Sequence, residues 1–461
     1  MWNELESLVK SQSSNPGDVA DVLAYLGSPS TSIAVLDHGK ITSKCYSTNK
    51  AHNTDTVFQA CSISKPMAAL AAMRLVDRGQ LDINKPISEY LSPKVLEIIS
   101  TPETAHLVSA ITSKRLMSHT AGLTVHGFLG YLNDTPDIET ILSGQAPSNV
   151  PQVRLADFPG HRFTYSGGGT TVLQLVLQQI TTQSFPELMQ DLVFGPLEMT
   201  QSHYNRPSSG FAPAQRSGTQ PYEFPYRVFP EMAAAGLWTT PTDLLKACLA
   251  VQKSVAGAPS SFLKQETARL MLTEVQDGFG IGFMVPYPAF GHSGSNVGYR
   301  CDLFAYDGSK PDVPEYSGVA VMTNSDEGVA VFQKLEAAVL YLMSWPDVST
   351  EPPYASNAIV PLCDCAATVD AQWTDWSGRW GDFEISEKEG QPLLTFVGGG
   401  LSQNISLIPA ARPRTTDGAI DLSAKGLELM VRLTKKDGEK VVELWHGRRD
   451  DIRTLHKAAG H

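Results

Sequence analysis

Cysteine is scarce. Six residues (Cys45, Cys61, Cys248, Cys301, Cys363 and Cys365) are spread over 461, and the best-spaced pair is C-x-C rather than C-x-x-C. That argues against a disulfide framework and a structural zinc site, and it predicts free thiols in a reducing compartment, which we read as the cytoplasm. An excess of basic charge is also lacking: 36 Lys and Arg against 48 Asp and Glu leave a formal net charge of -12, no footprint for nucleic acid. No apolar run approaches the roughly 18 residues that cross a bilayer. The opening MWNELESLVKSQSSN carries acidic residues where an export signal carries a basic region. A soluble chain with neither nucleic acid nor membrane as partner is expected.

Signatures of several chemistries are missing as well. His119 and His126 have no H-E-x-x-H or comparable cluster around them, so no metal is expected and His119 reads as a hydrogen-bonded structural residue. The glycine-rich SGGGTT and VGGGLS neither continue into G-K-[ST] nor follow a strand in the G-x-G-x-x-G register, so no nucleotide cofactor is expected. GHSGS falls one residue short of the G-x-S-x-G elbow because position 295 is serine, which argues against an α/β-hydrolase. No cofactor of any kind is implied.

What is present is an ordinary globular composition, 42% hydrophobic and 18% charged, in a chain long enough for two or three domains. TSIAVLDHG and KITSKCYS read as a hairpin turning between Asp37 and Lys40. KPMAALAAMRLVDRGQL reads as a helix with Met67, Leu70, Ala71 and Leu75 on one face, stopped by Gly79. Thr240 reads as an N-cap with Pro241 first in the helix and Asp243 third. Strands are expected at DLFAYD near 302 and GVAVMTN near 318, with a final helix over QKLEAAVLYLMSW. This is a mixed α/β (α+β) domain over 1–346. The proline-rich WPDVSTEPPYASNAIVPLCDC marks a linker at 347–369. Beyond it, at 370–461, short alternating runs (RWGDFEIS, PLLTFVG, QNISLIP, AIDLSA, LELMVRLT, KVVELWHG) predict an antiparallel sheet or small barrel.

CSISK, Cys61 to Lys65, offers a chemistry. S-x-x-K occurs four times, at Ser7, Ser47, Ser62 and Ser261, so the motif alone decides nothing. Only the Ser62 copy stands where a strand passes into a long apolar helix, whose free N–H groups and dipole favour developing negative charge. Residues three apart share a helix face, so Lys65 reaches Ser62 while Ser64 points elsewhere. A serine hydroxyl attacks carbonyls poorly until a base takes its proton, and an amine in apolar surroundings can be that base. The competing reading is a helix cap beside a solvated lysine. Cys61 reads as a buried small hydrophobe, and Met232 and Trp238 as core or cleft wall.

Two further segments, FPGHRFTYSGGGTTVLQLVL with Tyr165 and FGHSGSNVGYRCDLFAYD with His292, Ser293 and Gly294 on an expected edge strand, complete an ordered set. With Ser62 and Lys65 it resembles the serine β-lactamase and penicillin-binding protein superfamily, in its class C-like, esterase and D-aminopeptidase branch, whose signatures are S-x-x-K, Y-x-N and K-T-G or H-x-G. LMSHTAGL, VFGPLEMTQSHY, AAAGLWTTPTDL and GFGIGFMV are similar to recurrent family segments, and the likeness covers roughly residues 20 to 345. The resemblance implies Ser62 as the acylated nucleophile, Lys65 as its proton partner, Tyr165 as companion acid/base and the backbone N–H groups of Ser62 and Ser295 as the oxyanion site. Lysine and tyrosine both keep their protons at neutral pH in water, so the pair would have to share one. The β-rich tail resembles the lipocalin-like barrel appended to D-aminopeptidases and related enzymes.

Two departures bear on substrate. Gly167 stands where Y-x-N has asparagine, removing an amide that meets substrate, and His292 stands where K-T-G has lysine, weakening the cation that receives a carboxylate. Both argue against an efficient β-lactamase. The reading is a cofactor-free serine hydrolase for a small-molecule ester or amide, a carboxylesterase or D-stereospecific peptidase. An acyltransferase or thioesterase-like cyclase of secondary metabolism is the alternative within the class, and a non-catalytic scaffold or sensor the alternative outside it.

Overall fold

A computed structural model describes residues 1–11, 17–346 and 371–457, except 103, 158, 162, 218–219, 287, 310–314, 382, 389, 397–402, 410–418, 425–428 and 447–451. The linker expected at 347–369 lies outside the described residues. The chain divides into two compact units.

One unit holds Ser30–Arg216 and Gln220–Asp326. Its five-stranded antiparallel sheet runs in the order Lys40–Ser47, Ser30–Asp37, Gly318–Thr323, Tyr299–Tyr306, Ala289–Asn296. The expected hairpin forms, pairing Asp37 with Lys40 across His38 and Gly39. Both turn residues have positive φ, 47° and 77°, the twist that a two-residue hairpin favours. The strands at DLFAYD and GVAVMTN are central members of the sheet, and the His292 strand is an edge, as the sequence led us to expect.

The helix expected after CSIS spans Ser64–Asp77. Its apolar surface is wider than the single face read from the sequence: every residue from Ser64 to Met73 is buried. Alanine and methionine allow neighbours to close in from all sides, and Gly167–Thr181, Phe185–Met189 and Gln265–Leu272 all pack on it. Full burial of each leucine or methionine contributes about 1.5–3 kcal/mol, which holds the start of this helix firmly in place. At the other expected start, Thr240 caps Pro241–Val255 by accepting the Asp243 N–H, and that helix packs on Ser30–Asp37 and Gly318–Thr323.

The second unit holds Met1–Pro29, 217–219 and Glu327–His461. Helix Trp2–Lys10 packs on Gly328–Met343, the helix expected over QKLEAAVLYLMSW. The tail forms an eight-stranded antiparallel sheet in which each strand pairs with the next, from Gly378–Trp380 to Ile452–His456. RWGDFEIS divides into two strands at Gly381, whose φ of 57° lets Trp380 pair with Phe383 across a tight turn. Trp373, Trp376, Trp380 and the inward aliphatic residues of the later strands form a separate core. Asp421 and Arg432, paired across neighbouring strands, meet in a buried two-bond ion pair at 2.7 and 2.8 Å.

Candidate active site

The short strand Phe58–Gln59 runs into a single 3₁₀ turn, Cys61–Ile63, and then into Ser64–Asp77. Cys61 takes a φ of 52°, a costly conformation for a residue with a Cβ, held here by full burial. The turn leaves Ser62 half-exposed, and Lys65, only 5% exposed, places Nζ 3.0 Å from Ser62 Oγ and donates to the Ala234 carbonyl at 2.8 Å. Ser64 is occupied elsewhere. Its Oγ donates to the Cys61 carbonyl at 2.6 Å and accepts the Leu237 N–H at 3.1 Å, tying the turn to the segment that carries Ala234.

Tyr165 immediately precedes Ser166, which caps helix Gly167–Thr181 by accepting the Gly169 N–H. Lys65 Nζ lies 5.0 Å from the centre of the Tyr165 ring. The ring also lies beside His119, centroids 4.2 Å apart and planes at 31°, and beside His126 at 4.7 Å. The buried His119 accepts the Ser166 N–H on Nδ1 at 3.1 Å, so its proton sits on Nε2. Burial, then the nearby Lys65, pushes its pKa well below the ordinary histidine value. Both rings were assigned no part in the site from sequence; His119 was read only as structural, and SHTAGL was the signal that could have placed it there.

On the edge strand, His292 and Gly294 face inward while Ser293 and Ser295 are exposed. His292 Nδ1 is 2.5 Å from the Ser293 carbonyl and Nε2 is 3.4 Å from the Tyr165 hydroxyl. A carbonyl oxygen only accepts, so Nδ1 carries the proton and Nε2 receives the Tyr165 O–H. Burial and then Lys65 push this imidazole down to about 3, so it is neutral throughout the physiological range. A Cβ on Gly294 would lie 2.6 Å from the Ala60 carbonyl oxygen and 2.9 Å from Cys61 Cβ, so glycine is what lets the strand close on the Cys61–Ile63 turn. Asn296 fastens the strand's end by donating to Gln59 Oε1 at 2.8 Å and the Ala235 carbonyl at 3.1 Å.

Gly167 follows Tyr165 by two residues at the start of the helix. A Cβ there would sit 3.0 Å from both the His126 carbonyl oxygen and Phe128 Cε2, so the space that a family asparagine would enter is occupied. Ser62, Lys65, Tyr165 and His292 are thus brought together, with Gly294 packed against the turn. Although three histidines approach Tyr165, no group of His, Cys, Asp and Glu among the described residues is disposed to hold a metal ion.

The sequence profile of the family described as beta-lactamase matches residues 19–342. Protein Rv1367c of Mycobacterium tuberculosis is 28% identical over 251 residues, 48% of this chain and 60% of that protein. Esterase EstB of Burkholderia gladioli is 29% identical over 154 residues, 32% of this chain and 38% of EstB. The aligned part of the chain therefore spans less than two thirds of either relative's length. The octameric penicillin-binding protein homologue from Pyrococcus abyssi shares the fold, with a TM-score of 0.60 at 20% identity across 98% of this chain and 99% of that one.

Proposed function

Because this chain belongs to the beta-lactamase family, we propose that it is a serine hydrolase that takes the acyl group of a small ester or amide onto Ser62 and passes it to water. The observation that carries this reading is the 3.0 Å contact between Lys65 Nζ and Ser62 Oγ in a site where the amine's other hydrogen-bond partner among the described residues is the Ala234 carbonyl. With Lys65 unprotonated, the contact reverses: Oγ–H donates to the amine, and its proton moves to Nζ as oxygen bonds to the substrate carbonyl carbon. The backbone N–H groups of Ser62 and Ser295 receive the oxyanion. Tyr165 gives its proton to the departing oxygen or nitrogen as the bond to the carbonyl carbon breaks and regains one from Lys65; water then attacks the acyl carbon, and its proton passes to Ser62 Oγ as the serine ester bond breaks. His292 holds the Tyr165 hydroxyl through Nε2 and orients it.

Substrate preference follows from charge. A neutral imidazole stands where the family's K-T-G lysine would meet a carboxylate, and Gly167 offers no amide, so uncharged esters and amides suit the cleft better than β-lactams. The name of the relative EstB is in keeping with esterase activity. Two further features complete the proposal. The C-terminal strands form a lipocalin-like barrel, a closure supported by the isolated bridge from Trp380 in the first strand to Lys457 after the last. The unpaired Cys45, Cys61, Cys248 and Cys301 accord with a cytoplasmic enzyme. Exposure to p-nitrophenyl acetate and to a fluorophosphonate probe tests the chemistry: wild type should turn over the ester and carry the label on Ser62, and unlabelled, inactive wild type would end the proposal.

A further inference from the structure

We propose that a cavity distinct from the Ser62 pocket binds a carboxylate carried on an apolar body. It encloses about 250 Å³, the volume of about eight waters at ~30 Å³ each. Its apolar wall includes Phe229, Met232 and Trp238, of which Phe229 and Trp238 are buried. Its charged wall is Arg206, exposed, and Arg227, half-buried, and no aspartate or glutamate lines it. In a chain whose acidic residues outnumber its basic ones, this cavity has two arginines and no acidic residue in its lining.

The hydrogen bonds reinforce the point. Arg206 Nη2 donates to the Asn133 carbonyl at 3.0 Å and Arg227 Nη1 to the Leu129 carbonyl at 3.1 Å. Neither forms an ion pair among the described residues, and the Arg227 guanidinium also lies 5.2 Å from the centre of the Phe224 ring. Each guanidinium offers five donors in a planar fork, more than these carbonyl contacts use. A carboxylate supplies two acceptor oxygens in the matching plane, while an aryl or short alkyl body covers Phe229, Met232 and Trp238.

The cavity is wired to the candidate active site. Gln59, in its wall, donates to the Arg227 carbonyl at 2.7 Å and accepts from Asn296, and Asn296 also holds the Ala235 carbonyl beside the Lys65 anchor Ala234. The carboxylate therefore comes from one of two sources: the far end of a substrate whose acyl group reaches Ser62, or a free organic acid. The first source rests on the proposed acyl-enzyme chemistry; the binding site itself does not.

Calorimetric titration of the full chain with 4-phenylbutyrate and its neutral amide separates these points. The acid should bind saturably to wild type and equally to Ser62→Ala, so a failure of catalysis leaves this arm intact. The amide should bind at least tenfold more weakly. Arg227→Met should raise the acid's Kd at least tenfold, and Arg206→Met, on an exposed position that tolerates change, should raise it severalfold with the melting temperature unchanged. Absence of saturable binding, equal binding of acid and amide, or a Kd unaffected by either arginine change would overturn the proposal. Competitive inhibition of p-nitrophenyl acetate turnover by the acid assigns the site to the substrate's far end, and noncompetitive inhibition assigns it to a free acid. In both cases Arg206→Met must raise the inhibition constant in parallel, and inhibition indifferent to it counts against the site.

Discussion

The Tyr165 hydroxyl lies 3.4 Å from His292 Nε2, and the other nitrogen of that ring is committed to the Ser293 carbonyl at 2.5 Å. The edge strand thus presents an acceptor, not a cation, to the phenol. His119 lies beside the Tyr165 ring, also neutral and also fixed in one tautomer by the Ser166 N–H. Tyr165 is flanked by imidazoles whose protons are already assigned, so neither ring supplies its hydroxyl with a proton.

Those two buried rings fix how stability responds to acid. In the folded chain His292 titrates near 3 and His119 well below its ordinary 6.5, whereas both bind protons near 6.5 when unfolded. Between these values the unfolded state holds more protons, so the rings' contribution is full above pH 6.5 and declines as pH falls, by up to about 1.4 kcal/mol per pH unit for each ring, more than the opposite change from one buried carboxyl offsets. Urea unfolding at pH 7, 6, 5 and 4 should show that decline, and His292→Gln should flatten it by one ring's share. An unchanged slope in the variant would mean that the imidazole is protonated normally inside the fold.

The two serines of CSISK should separate cleanly. Ser62→Ala removes the nucleophile and should lower ester turnover by a factor of 10³ or more while leaving the melting temperature near that of wild type. Ser64→Ala breaks two buried hydrogen bonds, to the Cys61 carbonyl and from Leu237, and should cost about 1–3 kcal/mol of stability while the fluorophosphonate still labels the protein. Labelling that survives in Ser62→Ala and disappears in Ser64→Ala would reverse the assignment.

Gly294→Ala tests how closely the edge strand must approach. The new methyl would meet Cys301 Sγ at 2.5 Å, the Ala60 carbonyl at 2.6 Å and Cys61 Cβ at 2.9 Å, two of which belong to the segment carrying Ser62. The strand has to move away, widening the gap between the Ser62 and Ser295 N–H groups. Removal of one oxyanion donor costs about 10²–10³ in kcat. A loss of that order in kcat, with KM nearly unchanged and a lower melting temperature, is the expected result. Wild-type kcat would show that the strand does not shape the oxyanion site.

Much of this was readable from the chain because local rules and tertiary demands agree. The hairpin at His38–Gly39, the Thr240 cap and the Ser62–Lys65 spacing are each set by neighbours a few residues apart, and the structure reproduces them. What was not readable depended on contacts between distant segments. The complete burial of Ser64–Met73 reflects helices that arrive from 167–189 and 265–272, and a one-face pattern cannot announce them. His126 comes to the Tyr165 ring from an exposed loop. The last strand, Ile452–His456, also went unread, because IRTLH is too short and too polar to stand out until a partner at Val441–Trp445 is in place.

Gly167→Asn asks whether the family asparagine can be restored. Its Cβ alone would lie 3.0 Å from the His126 carbonyl oxygen and from Phe128 Cε2, so the loop and not just the residue has changed. The single substitution should therefore lower stability by about 1–3 kcal/mol and bring no gain in nitrocefin hydrolysis. Pairing it with Phe128→Ala relieves one of the two contacts and should recover part of that loss, a coupling that a double-mutant cycle would measure. Strong nitrocefin turnover by the single variant would show that the asparagine, not the loop, sets the substrate range.

Glu231 lies just before the Met232–Gly236 turn whose Ala234 carbonyl holds Lys65, and its backbone carbonyl accepts the Ala234 and Ala235 N–H groups. Its carboxyl is fully buried, neither oxygen has a hydrogen-bond partner among the described residues, and burial pushes its pKa up to about 7 from an ordinary 4.5. Across that window the folded state holds the extra proton, so this residue's contribution runs opposite to the histidines: stability is present below 4.5 and is lost as pH rises through 7. At ~1.4 kcal/mol per unit the loss amounts to about 3 kcal/mol by pH 8. Glu231→Gln cannot ionise and should remove this component, so that its stability relative to wild type rises with pH between 4.5 and 8, whatever its effect on absolute stability at pH 5. Because an ionised Glu231 strains the turn that anchors Lys65, ester turnover by wild type above pH 7 should also fall more steeply than turnover by Glu231→Gln. Parallel stability curves for the two proteins between pH 4.5 and 8 would show that the carboxyl is solvated, and the link to the lysine would fall with it.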